Sequence, residues 1–208
     1  MESKLRSGKK YKAETIVFYD LETTGLNPYY DNIIEIGAIK YQNGNTSNFK
    51  SFVSLKYPIP KKISEITNIY DSDLKDQPSI ETVLKSFLNF IKQDDEPIYM
   101  VAHNNDAFDR LFLEINLVKN NLNKPNINYI DTLRLSQKII PKRYSYSLKS
   151  LCKDYDIYQE CSHRAYDDAY SLFMVYKKIC AILSMNIDYS YKYIVNNPWV
   201  VFNYINTV

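Results

Sequence analysis

Four acids and one histidine fall where elements of structure begin or end: Asp20, Glu22, Asp109, Asp168 and His163. Asp20 and Glu22 lie in "FYDLETTGLNP" (18–28), two apart at the end of an apolar run and just before a Thr-Thr-Gly turn. On an extended chain, side chains at i and i+2 share a face, so these carboxylates can converge. Carboxylates that close repel unless a cation sits between them. Alone, the pair reads as a polar turn or as half of a metal site. Asp109 follows a second apolar run, in "AHNNDAFDRLFL", where Asp106 is expected to cap a helix and leave Asp109 in its first turn. The helix dipole also favours an acid there, so a structural reading stands beside the catalytic one.

Asp168 is harder to dismiss. With Leu172, Val175 and Ile179 it falls at i, i+4, i+7 and i+11, on the apolar face of a long helix, where an unpaired charge is costly. His163, one of two histidines in the chain, stands five residues before it in the loop entering that helix. Hard oxygen ligands select Mg²⁺ or Mn²⁺ over zinc. Two such ions can stabilise the attacking and leaving oxygens of a phosphodiester hydrolysis, with a histidine taking the proton from the water.

The elements that must position these groups follow from periodicity. "TIVFYD" (15–20), "IIEIGAIKYQNG" (33–44), "TSNFKSFVSL" (46–55), "PIYMVA" (97–102) and "INYIDT" (127–132) read as strands, the second and third as a hairpin. A short helix is expected around 61–66, and an amphipathic one over 78–92, with Ser79 as its cap. Further helices follow "HNND", then near 132–139, 147–156 and 165–183. Strands alternating with helices predict an α/β domain, with a mixed sheet flanked by helices.

The chain of 208 residues suits one compact domain. No apolar stretch approaches a membrane span and no signal-peptide core opens the sequence, so an intracellular location, cytoplasm or nucleus, is expected. Three cysteines without a C-x-x-C pair argue against a disulfide framework or a zinc site and are read as reduced, mostly buried thiols. Net charge is +2 but uneven. Residues 1–13 form a basic, aperiodic arm, with Lys4, Arg6, Lys9, Lys10 and Lys12 against Glu2, and are expected to be disordered. Residues 131–153 set Arg134, Lys138, Lys142, Arg143, Lys149 and Lys153 against Asp131. This stretch, interleaved with Tyr144 and Tyr146, suits a phosphate backbone with stackable bases, or is simply a solvated surface.

Taken together, the motifs resemble the DEDDh 3′→5′ exonucleases of the ribonuclease H-like superfamily. "DLETTGL" is similar to that family's first motif, "AHNNDAFD" to the second and "HRAYDDA" to the third. "ITNIYDSDL" and "DTLRLSQKIIPKRYSYSLKSL" are similar to two supporting segments, and the match covers residues 15–183. The resemblance implies the ribonuclease H-like exonuclease fold, with a central mixed five-stranded sheet. The domain would span 14–183, with 184–208 as a C-terminal extension of unknown role. It implies that Asp20, Glu22, Asp109 and Asp168 hold two Mg²⁺, with Mn²⁺ able to substitute, and that His163 is the general base. Leu26 would pack against the terminal base, with Ile66 and Phe108 lining the same pocket. Thr23, His103 and Asn104 are the remaining substrate-binding candidates.

The implied substrate is nucleic acid with a free 3′ end, single-stranded or frayed. Thr23, where oligoribonucleases usually carry Met, leans towards DNA over RNA. The six-residue spacing from His103 to Asp109, with Asp106 inside it, is similar to that of the three-prime repair exonucleases of animals. In the supporting segment Asn68 replaces a glycine, and Asn tolerates the left-handed backbone that a glycine often supplies. A proofreading subunit docked on a separate polymerase, a 3′→5′ exoribonuclease and an inactive nucleic-acid-binding module are the rival readings, and a polymerase or a second copy of the chain is the candidate protein partner. No membrane partner is expected.

Overall fold

The computed structural model describes residues 15–42, 44–92, 98–140, 142–159 and 163–182. The basic arm, Cys161 and the C-terminal extension lie outside the described residues. Five strands form one mixed sheet in the order β3-β2-β1-β4-β5. They are β1 (Ile16–Thr23), β2 (Ile33–Gln42), β3 (Asn45–Phe52), β4 (Ile98–Ala102) and β5 (Ile127–Asp131). β1 runs antiparallel to β2, and β2 to β3, while β4 is parallel to β1 and β5 to β4. β4 is buried along its whole length, as a parallel strand covered on both faces must be. β3 is a polar edge carrying Lys50, a composition that discourages pairing with another chain.

Seven helices are described: α1 (Lys61–Thr67), α2 (Asp71–Leu74), α3 (Ile80–Ile91), α4 (Asp109–Lys119), α5 (Thr132–Ile139), α6 (Leu148–Asp154) and α7 (Ala165–Ile182). Alternate residues of β1 divide the core. Ile16 and Phe18 pack with Leu135, Leu151, Leu172 and Tyr176 of α5, α6 and α7. Val17, Tyr19 and Leu21 pack on the other face with Val83, Phe87, Phe112 and Leu113 of α3 and α4. Asp20 and Glu22 continue the first row, towards α7. A smaller apolar group, Ile34, Ile59, Ile69 and Leu74, lies under α1 and α2.

Local chemistry sets several ends. Ser79 accepts from the Thr82 amide at the start of α3, as expected, and Ser147 does the same for Ser150 in α6. Asn68 closes α1 in the left-handed conformation, φ 54°, which is the backbone the missing glycine would have supplied. α2 was not anticipated from the sequence: four residues are too short for periodicity to register. β1 also runs three residues further than its apolar stretch, because Leu21, Glu22 and Thr23 go on pairing with β2 through a bulge. No helix among the described residues is long and apolar enough to cross a membrane.

Candidate active site

Asp20 and Glu22 stand on β1 opposite Gly37 and Glu35 of β2. Gly37 is what lets α7 close on this row. A Cβ there would lie 2.1 Å from the Tyr166 amide nitrogen and 2.2 Å from the Ala165 carbonyl carbon. With no side chain in the way, the first turn of α7 rests directly on β2 and brings Asp168 over the strand carboxylates. Among the described residues, side-chain donors of Glu22, His163 and Asp168 lie within 4.8 Å of one another. The His163 amide donates to Asp168 Oδ2 at 2.9 Å, which ties the loop to the helix acid. Asp109 enters from the other side: its Oδ1 accepts from the Leu21 amide, between the two strand acids, at 3.1 Å.

The electrostatics are those of a site short of positive charge. Burial pushes Asp20 well above the carboxylate range, and the charges of Asp109, Asp168 and Glu22 push it further. Burial, then Asp168 and Glu35, raises Glu22 to about 8. Asp109 reaches about 8, again chiefly by burial, although hydrogen bonds from backbone amides pull it down. Asp168 is raised by burial too. Four neighbouring oxygen donors that resist ionisation for want of a counter-charge fit hard divalent cations.

The remaining candidates fare differently. Leu26 is 84% exposed and Ile66 is 42% exposed, so both present apolar surface to solvent. Phe108 stacks at 4.9 Å on Phe112 and packs against the α3–α4 core. Thr23 is buried, with its hydroxyl donating to Gly25 O inside the turn. Asn104 is exposed and left-handed, and its amide donates to Asp131. His103 differs from expectation. One ring nitrogen bonds Thr132 Oγ1 at 3.0 Å and the other the Tyr146 carbonyl at 2.8 Å, so the ring joins β4, α5 and the loop before α6 and leaves no nitrogen for a substrate.

Asp106 also corrects its assignment. It does not cap α4, whose first flanking residue is Phe108; its carboxylate faces Arg134 at 3.1 Å and Arg110 at 3.9 Å. The basic stretch is likewise partly committed, since Arg143 pairs with Asp154 and Tyr146 donates its hydroxyl to Ile140 O.

Glu35, its partner Arg164 and Asn105 are supporting residues that the sequence did not single out. Glu35 is buried in β2 and forks onto Arg164, at 3.2 and 3.1 Å, while accepting from the Ala165 amide at the start of α7. A charge inside the apolar run "IIEIGAI" was the available signal. Asn105 is fully buried; it accepts from the Tyr19 hydroxyl and donates to Met100 O and Ile130 O. Its own carbonyl accepts from the Arg110 amide, which sets the start of α4 and hence Asp109.

A mixed sheet whose central strand β1 carries two acids, joined by one acid from α4 and one from the covering helix α7, is the ribonuclease H-like exonuclease fold. The family model described as "Exonuclease" (RNase_T) matches residues 17–176. The chain therefore belongs to this family, the DEDD-type 3′→5′ exonucleases, which depend on divalent metal. It is 34% identical over 178 residues to the PolC-type DNA polymerase III of Bacillus cereus, which covers 85% of this chain but only 12% of that protein. E. coli exonuclease I in complex with a dT13 oligonucleotide superposes with a TM-score of 0.75 at 16% identity, over 88% of this chain and 43% of that one. The zinc ion bound form of the E. coli exonuclease I–single-stranded DNA complex gives 0.73 at 18% identity, over 89% and 44%.

Proposed function

We propose that this chain removes nucleotides one at a time from 3′ hydroxyl ends of DNA, releasing nucleoside 5′-monophosphates, and that it requires two divalent ions to do so. The convergence of Glu22, His163 and Asp168 within 4.8 Å carries the reading. Asp20, Glu22, Asp109 and Asp168 would hold the pair of Mg²⁺, for which Mn²⁺ substitutes. When bound, the ions supply the positive charge that offsets the developing negative charge of the phosphodiester.

The chain's own groups do the rest. His163 sits on an exposed loop next to Asp168, where a ring nitrogen can take the proton of the attacking water and return it to solvent. Asp168 holds the backbone of that loop and so keeps the ring at the mouth of the cluster. Leu26 and Ile66 offer the terminal base an apolar platform, and burying that exposed surface favours binding. The preference for DNA rests on Thr23 and on the DNA ligand bound to exonuclease I.

The test is Asp20→Ala against wild type on a 3′-hydroxyl strand, in Mg²⁺ and in EDTA. Wild type is expected to degrade the strand only in Mg²⁺, and the variant in neither. Equal degradation by the two proteins would refute the assignment. Equal turnover of single-stranded DNA and RNA of one sequence would remove the DNA preference alone.

The PolC-type relative supports a second reading, in which the same activity proofreads for a polymerase on another chain. Co-purification of the full-length chain with a polymerase, lost on truncation at 184, is the outcome that reading requires.

A further inference from the structure

We propose that a cleft between α6 and residues 157–159 binds the nucleotides upstream of the terminal one, with phosphates on Lys149 and Lys153 and a base on Tyr158. The inference rests on the exonuclease reading and names a stretch of the strand's path which that reading leaves open. The cleft has a volume of about 550 Å³, and Lys149, Ser150, Cys152, Lys153, Tyr158 and Gln159 are among its lining residues. It adjoins the acid cluster. Gln159 on its wall donates from Nε2 to Asp168 Oδ1 at 3.3 Å. The Cys152 thiol, buried in the lining, is pushed up to about 11, foremost by burial, and the Asp168 charge acts in the same direction.

Charge and shape choose the occupant. Lys149 and Lys153 are four apart on α6 and so share one face of the helix. Both are exposed, and among the described residues no carboxylate pairs with either, whereas Arg143 of the same basic stretch is held by Asp154. Tyr158 is 80% exposed beside them, an uncovered aromatic ring at the rim of a basic cleft. Two ammonium groups along one helix face with a ring beside them match a single strand, whose phosphates recur along its length and whose bases each offer a stacking face. A polyanion drawn towards four carboxylates also needs cations close by, and the cleft supplies them next to Asp168.

Fluorescence anisotropy of the full-length chain with a labelled single-stranded oligothymidylate in EDTA, titrated across salt concentrations, reads this cleft without relying on catalysis. Lys149→Glu and Lys153→Glu are each expected to weaken binding at low salt and to flatten the dependence of log affinity on log salt by about 0.7, the value of one phosphate contact on a single strand. Tyr158→Ala is expected to weaken binding roughly tenfold and leave that slope unchanged, as loss of a stacked base would. Lys178→Glu on α7 makes the same change of net charge at an exposed position outside the cleft. If it matches the α6 variants, or if those variants bind like wild type, the cleft is not on the strand's path. Wild-type hydrolysis of the p-nitrophenyl ester of thymidine 5′-monophosphate in Mg²⁺ tests the exonuclease reading separately. Failure there with the salt slopes as expected would refute the chemistry and leave the binding cleft standing.

Discussion

Glu35 grips Arg164 with both carboxylate oxygens and reaches past it to the Ala165 amide, so one buried acid on β2 fixes the point at which α7 begins. Everything α7 contributes to the site, Asp168 above all, is registered from that anchor. Arg164→Ala should therefore leave Glu35 buried without its counter-charge and cost about 3 kcal/mol in denaturant unfolding. Turnover should fall with it. Replacing both residues by leucine should restore most of the stability, since an apolar pair avoids the desolvation penalty, but not the turnover, because the Ala165 amide loses its acceptor. Recovery of both together would show that the anchor does not position the site.

Gly37→Ala makes a sharper steric test. The added methyl would meet the backbone of Ala165 and Tyr166, which cannot rotate aside as a side chain can. The expected cost is about 1–3 kcal/mol, with α7 displaced from Asp20 and turnover reduced. Thermal melting and steady-state kinetics on the same preparation check it, and a variant indistinguishable from wild type in both would contradict the close approach.

The acid cluster predicts a pH dependence of known sign. Glu22 and Asp109 titrate near 8 in the folded metal-free protein, above the ordinary 4.5 and 3.8 they have when unfolded. The folded state thus binds more protons across that interval, so the stability these groups contribute is full below about pH 4 and is lost as pH rises through about 8. Metal-free melting temperatures should fall from mildly acidic to mildly alkaline pH, and Mg²⁺ should reverse the loss while releasing protons. Asp20→Asn should abolish activity yet raise the melting temperature in EDTA at alkaline pH, because it removes one of the repelling charges. A metal-free protein that gains stability towards pH 9 would rule out the electrostatic picture.

His163→Ala should lower the turnover rate by roughly 10²–10⁴-fold, the usual range for losing a general base, while Mg²⁺ binding measured by calorimetry survives. If Mg²⁺ binding collapses in that variant, His163 acts as a ligand within the cluster of Glu22 and Asp168 and not as the base.

Local patterns were legible and distant partners were not. The period-two spacing of Asp20 and Glu22 and the helical spacing of Asp168 with Leu172, Val175 and Ile179 depend only on near neighbours, and the observed elements follow them. The five strands and the Ser79 cap were legible for the same reason. His103 shows the opposite case. Its nitrogens are taken by Thr132, 29 residues away, and by Tyr146, 43 residues away, and nothing within the motif records either bond. Asp106 sits where a cap residue would, but the charges of Arg134 and Arg110 hold it. Glu35 and Gly37 were visible in "IIEIGAI" as a charge and a missing side chain within an apolar strand. Their purpose needed the strand register that sets them opposite Glu22 and Asp20.

The most direct measurement follows a 5′-labelled single strand in Mg²⁺, with either a free 3′ hydroxyl or a blocked 3′ end. A ladder shortening stepwise from the open 3′ end is expected, with nucleoside 5′-monophosphate as the product and the blocked strand left intact. Immediate release of the 5′ label, or equal degradation of the blocked strand, would contradict it.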